Sequence, residues 1–211
     1  MYNEIIPGNW ATQYIDAYWV QFNKQSERVN VTILPDGCTD IVLSFNNKCE
    51  KMVVGCMTKP NEVYIEPFGL MFGIRFKTGC AAPFLNIPMK ELTDKKYSLM
   101  EIRDFDINII TPSTILYKRN LIPDMLERNL KKIFLEKKFD KTVCLTVNLI
   151  EQYQGLKSID DIANNVGVSK RHLERKFLDF VGMSPKLYSR IVRFRYTNKM
   201  LKTKKMILLF L

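Results

Sequence analysis

The sequence predicts an α+β protein, an antiparallel β-domain built as a sandwich or small barrel and followed by an all-helical domain. Three observations predict it. Up to about residue 103 the apolar runs are short and end at Gly, Pro or Asn; from Pro123 they recur at three- and four-residue spacing; and the positive charge is concentrated after Lys141.

The strands come first. Val29–Leu34 alternates in part and meets Pro35-Asp36-Gly37, where proline presets φ, aspartate bonds its own backbone and glycine accepts a positive φ. Ile41–Phe45 stops at Asn46-Asn47, and Met52–Cys56, Val63–Ile65 and Leu70–Phe76 are further β-rich runs. The helices follow. Leu126, Leu130, Ile133 and Phe134 share one face, as do Val143, Val147, Ile150 and Tyr153, with the polar stretch Lys131–Asp140 overlapping the gap between them. These patterns place a β-domain at residues 1–110, a helical connector at 111–138, a helical domain at 139–201 and an atypical tail at 202–211. No internal repeat or low-complexity tract stands out.

Of the 211 residues, 32 are Lys or Arg and 22 are Asp or Glu, a net charge of +10. Residues 1–140 hold 18 positive and 17 negative side chains, residues 141–211 hold 14 and 5, and from Lys170 onward the count is 12 against 2. A basic block beside a near-neutral one points to a polyanionic partner. A solvated basic helix face is the plainer alternative. No apolar run has the length of a membrane span. The start lacks the basic and apolar regions of a secretory signal. Five cysteines without a Cys-x-x-Cys pair fit reduced thiols, so a cytoplasmic location and no membrane partner are expected.

The only histidine is His172, in the basic block. A His-based catalytic triad or a two-His metal site therefore cannot be assembled within one chain. Asp36, Asp40, Glu62 and Glu66 lack the spacing of a working acid pair, and no phosphate-cradling glycine motif is present. The expectation is no enzyme, no cofactor and no metal.

The most informative segment is Ser158 to Met183. Ser158-Ile159-Asp160-Asp161 is a capping-box-like start, and Ile159, Ile162, Ala163 and Val166 form one apolar face. Gly167 ends that helix, Val168 is an apolar plug and Ser169 caps a second helix. Leu173, Phe177 and Phe180 face inward there, leaving Lys170, Arg171, His172, Glu174 and Arg175 outward. This is a helix-turn-helix pattern, although any all-α core can hold such a hairpin.

The run Ser158-Ile159-Asp160-Asp161-Ile162-Ala163, then Val166 to Phe177, then Val181-Gly182-Met183-Ser184-Pro185-Lys186-Leu187-Tyr188, resembles the first helix-turn-helix of AraC-family transcription regulators. Leu187 to Arg195 with Met200-Leu201 is similar to that family's linker helix. Tyr18-Trp19-Val20, Leu34 to Val42, Gly55-Cys56-Met57-Thr58, Phe72 to Phe76 and Pro83 to Asp94 resemble one of its N-terminal sensor types. The resemblance implies a cupin-like β-barrel sensor joined to a DNA-binding domain. Double-stranded DNA, a small-molecule effector and a second copy of the chain are then the expected partners.

It also implies roles for matching positions. Ser169, Lys170, Arg171 and His172 lie where base edges are reached, with Arg171 the candidate for a bidentate guanine contact. Arg175 and Lys176 are candidate phosphate contacts, as is Ser158 through the first amides of its helix. Arg190 and Arg193, with Lys186 and Arg195, are candidate backbone clamps or simply solvating charges.

One departure stands against the match. Family members carry a second helix-turn-helix, whereas ten residues follow Leu201, Lys-Thr-Lys-Lys-Met-Ile-Leu-Leu-Phe-Leu. That tail reads as a truncated or frame-shifted end, or as an exposed sticky segment. Two functions follow: a sequence-specific DNA-binding regulator impaired by the loss, or a ligand-binding or oligomerising sensor whose DNA half is a remnant.

In the first domain the residues leave alternatives open. Asp36 reads mainly as a turn former. Asp40 and Arg75, charges embedded in apolar strands, are either paired or outward-facing. Trp10, Tyr14, Tyr18 and Trp19 read as core or as a pocket floor. Cys38, Cys56 and Cys80 read as inert buried thiols unless they meet.

Overall fold

The computed structural model of the chain describes residues 1–46, 49–85, 87–99 and 107–208, with side chains as far as Leu201. Strands β1 (Tyr2–Ile5), β2 (Ile15–Phe22), β4 (Thr39–Phe45), β5 (Cys49–Val54), β7 (Leu70–Phe76) and β8 (Lys96–Ser98) make one antiparallel sheet in the order β1-β2-β7-β4-β5-β8. Among the described residues, strands β3 (Val29–Ile33) and β6 (Asn61–Ile65) pair only with each other, as a separate ribbon.

The expected antiparallel β-domain followed by helices is what the chain forms, but its β part is not a closed barrel. Closure requires the first and last strands to bond across a seam. Here β1 and β8 are the two edges, and β8 is only three residues long. A helix does the covering instead. Because side chains alternate across a strand, Tyr18, Val20, Ile41, Leu43, Phe72 and Ile74 share one sheet face. That face is buried in one core with Ile122, Leu126, Leu130 and Phe134 of helix α4 (Ile122–Glu136). The opposite face carries Trp19, Asp40, Val42, Met71 and Arg75 and looks toward the ribbon.

The N-terminal segment ties α4 down. Gly8 N donates to Glu127 Oε1 at 2.8 Å, and the buried Tyr18 hydroxyl lies 3.2 Å from the same oxygen. Phe134 receives Trp10 edge-on at 5.6 Å and Tyr14 stacked at 4.5 Å. The four aromatics read from the sequence thus divide, three toward α4 and Trp19 to the other face.

Short helices α1 (Ala82–Leu85), α2 (Met89–Leu92) and α3 (Pro112–Tyr117) lead toward α4. Beyond it, α5 (Lys141–Gln152), α6 (Ile159–Asn165), α7 (Lys170–Val181) and α8 (Pro185–Leu208) enclose a second core of Val143, Ile150, Ile162, Leu173, Phe177, Tyr188 and Val192. Residues 209–211 of the predicted tail lie outside the described residues, while α8 continues through Leu208. Among the described residues no helix is long and apolar enough to cross a membrane.

The two cores meet at named contacts. Cys56 Sγ donates to Val181 O at 3.0 Å and Thr93 Oγ1 to Gly182 O at 2.6 Å, while Lys90 pairs with Asp179 at 3.4 Å. Tyr188, 1% exposed, bonds Glu151 Oε1 at 2.7 Å through its hydroxyl and lays its ring against Gly37. Arg195 Nη1 donates to Glu151 Oε1 at 3.0 Å and reaches Asp36 O at 3.4 Å.

Gly37 and Gly167 separate strain from contact. Both have positive φ, +81° and +72°, but a Cβ on Gly37 would stand 2.5 Å from the Tyr188 ring, whereas one on Gly167 would meet nothing within 4 Å. Urea unfolding is expected to show Gly167→Ala costing about 1 kcal/mol from backbone strain, and Gly37→Ala at least about 1 kcal/mol more from overpacking. Equal costs would mean that Tyr188 does not press on this turn.

Candidate nucleic-acid interface

The turn between α6 and α7 is built by local chemistry. Ser158 Oγ accepts from Asp161 N at 3.1 Å and donates to Asp161 Oδ2 at 2.6 Å, closing the cap of α6. Gly167 provides the left-handed turn, Val168 packs on the helical core, and Ser169 Oγ accepts from His172 N at 3.3 Å to cap α7. Along the 12 residues of α7, Leu173, Phe177 and Val181 recur every four positions and are buried at 0%, 0% and 2% exposure. The helix therefore has one possible rotation. Lys170, Arg171, Glu174 and Arg175 are exposed on its other side, and His172 is half-buried.

Its ends differ. The C-terminal end is clamped against the β-domain by the Cys56, Thr93 and Lys90 contacts, and burial pushes the Cys56 thiol up to about 11. The N-terminal end faces solvent.

The predicted residues divide by what holds them. Among the described residues Arg171 has no ion-pair or hydrogen-bond partner. Arg175 Nη2 lies 3.2 Å from His172 Nδ1. Because arginine can only donate, the ring nitrogen is the acceptor of this contact. Lys170 Nζ donates to Asp160 Oδ2 at 3.0 Å, and this bond raises the ammonium above its usual range. The Ser158 hydroxyl is spent on its own helix. Lys176, expected on phosphate, is ion-paired with Asp140, the cap of α5. Partial burial pushes the Asp140 carboxyl up, but hydrogen bonds from Lys176 and Val143 N outweigh it and hold the group below the usual range.

On α8, Lys186, Arg190 and Arg193 are exposed. Arg190 lines a groove of about 280 Å³ with Leu34, Pro35 and Pro60, beside the β-domain rather than on the face of α7. Arg195 is engaged at the junction. Phe194, Met200 and Leu201 are exposed along the same helix. Among the described residues no three His, Cys, Asp or Glu side chains converge as a metal would require.

Known proteins bear on one half of the chain. Residues 3–98 match DUF6597, a domain of unknown function. The match covers β1 to β8, the whole sheet and its ribbon, and ends before α3. No curated protein and no solved structure matches the chain. The DUF6597 domain is thus the platform on which the C-terminal end of α7 is seated.

The tether between α7 and α5 is testable. Lys176→Ala is expected to lower the unfolding free energy by about 1–2 kcal/mol in a urea titration, because a charge-assisted hydrogen bond to a largely buried carboxylate is lost. Arg171→Ala is expected to leave stability within about 0.5 kcal/mol, as for an exposed site without partners. A stable Lys176→Ala would return this lysine to the free cationic surface.

Proposed function

We propose that the chain is a sequence-specific DNA-binding transcription regulator of the AraC type, with the DUF6597 domain as its sensor half. One observation carries the reading. The apolar stripe of α7 is fully buried while Arg171 and Arg175 stand exposed near the helix end that points away from the DUF6597 domain. The resemblance of residues 158–188 to the first helix-turn-helix of that family supports it, as does the excess of 12 basic over 2 acidic residues from Lys170.

In this mechanism the N-terminal turn of α7 enters the major groove. Ser169, Arg171 and His172 reach base edges, and the Arg171 fork bonds guanine O6 and N7 together. Arg175 pairs with a flanking phosphate. Lys170 exchanges Asp160 for phosphate at some cost, since the carboxylate it leaves must be rehydrated. Lys176 holds α7 against α5 and contributes through position rather than contact. Helix α7 by itself touches few phosphates, and a second copy of the chain on an adjacent half-site adds to them.

Anisotropy titrations of the full chain with a random duplex pool at several salt concentrations test this. The logarithm of the binding constant is expected to fall with that of salt at a slope of about −2 to −4, reporting a few released counterions. On a duplex obtained by selection with this protein, Arg171→Ala is expected to cost about 1–3 kcal/mol, with little effect on a scrambled duplex. Salt-independent binding, or equal losses on both duplexes, would refute the reading.

A further inference from the structure

The second face of the sheet in the DUF6597 domain is incompletely packed. Between it and the β3–β6 ribbon lies a cleft of about 80 Å³ that opens to solvent beside the exposed Ile33 and Lys96, so a bound molecule can extend past the rim. Ile33, Val42, Met52, Val54, Met57, Val63 and Met71 form its apolar walls. Of these only Val42 is fully buried. Trp19 forms the floor, its indole lying over Gly73 where any side chain would overlap it. An apolar wall left half-exposed between two sheets is unusual, since such layers ordinarily interdigitate.

One end of the cleft is charged. Trp19 Nε1 donates to Asp40 Oδ1 at 2.6 Å. Arg75, directly opposite Asp40 in the β4–β7 register, places Nε 3.6 Å from Asp40 Oδ1 and 3.5 Å from Asp36 Oδ2, and its Nη1 donates to Glu4 at 3.1 Å. The pairing left open in the sequence is therefore present, but one guanidinium serves three carboxylates. Asp36 Oδ1 is committed to its own turn, accepting from Cys38 N at 2.9 Å. Asp40 Oδ2 accepts no hydrogen bond among the described residues. Lys96, the other cation on the lining, is exposed at the rim.

We propose that this cleft binds a small organic cation, a protonated amine on an apolar or aromatic body, with Asp40 as its counter-ion and the Trp19 ring and methionines holding the body. The lining balances Asp36 and Asp40 against Arg75 and Lys96, so the sign is selected locally, by Asp40 Oδ2, the carboxylate oxygen at the indole end that no donor of the described residues reaches. Cation–π attraction to the indole acts in the same direction. A bare metal ion is disfavoured, because Glu4, Asp36 and Asp40 do not converge on one point. The inference is independent of DNA binding. It gives the sensor half a ligand class, and a route outward. Asp36 belongs to the turn whose Gly37 packs on Tyr188 and whose carbonyl oxygen is within reach of Arg195.

The indole N–H resonance of Trp19, separable from that of Trp10 by Trp19→Phe, reports occupancy directly. Benzylamine, benzyl alcohol and benzoate differ chiefly in charge on similar bodies. Benzylamine is expected to shift the Trp19 signal saturably and to bind about tenfold more tightly than either analogue, a preference that Asp40→Asn removes. The unmodified protein gives a second readout. Burial raises the Asp40 carboxyl to about 7 against the pull of Arg75, with Asp36 and Asp16 adding to the rise. The neighbouring Cys38 thiol is neutral, its pKa pushed well up by burial. Asp40 is therefore charged above that value, and benzylamine binding tightens about tenfold between about pH 6 and about pH 8. A response equal for all three probes, no saturable shift with any of them, or a binding constant flat across that pH range would overturn the proposal. DNA affinity is not part of the readout, so failure here leaves the regulator reading standing, and the converse holds.

Discussion

Burial of Leu173, Phe177 and Val181 is the constraint on which the rest of the molecule depends. Three apolar side chains at four-residue spacing form a stripe narrow enough to fix the rotation of a 12-residue helix. Emptying one such buried site costs about 2–5 kcal/mol, far more than any exposed arginine could recover by turning inward. The outward display of Arg171 and Arg175 is thus a consequence of packing on the other side. Phe177 also meets Tyr188 with ring centroids 5.7 Å apart, which ties the rotation of α7 to the placement of α8.

Tyr188 in turn joins the two halves. Its ring rests on Gly37, its hydroxyl on Glu151, and Glu151 also accepts from Arg195, which reaches back to Asp36 O. The turn at residues 35–38 therefore has two neighbours, the charged end of the cleft and the first turns of α8. The same few contacts thus join the charged end of the cleft to the packing of α8.

The helical half was the more legible in the sequence, because its signals are local. Ser158 and Ser169 cap the helices they precede, Gly167 turns between them, and the spacing of Leu173 and Phe177 reads as a buried face. The ion pair of Lys176 is illegible in the sequence for the complementary reason. Its partner Asp140 lies 36 residues earlier, and nothing in the helix pattern announces that pairing. In the β half, the central strands at residues 41–45 and 70–76 were visible from their β-branched and aromatic content. The edge strands Tyr2–Ile5 and Lys96–Ser98 were not, being short and half polar. Alternation gives the faces of a strand but not its neighbour, so an open sheet backed by α4 and a closed barrel look alike in sequence. Asp36 carried only a turn signal, and its place between Arg75 and Tyr188 needed three dimensions.

Amide hydrogen exchange of the full chain with and without excess duplex DNA tests the central claim most directly, because it locates the contact without altering a residue. The account predicts slowed exchange or altered opening confined to the α6–α7 turn and the first half of α7, with the DUF6597 sheet unchanged. Protection that falls on the sheet or on α4 instead, or an α7 indifferent to saturating duplex, would contradict it.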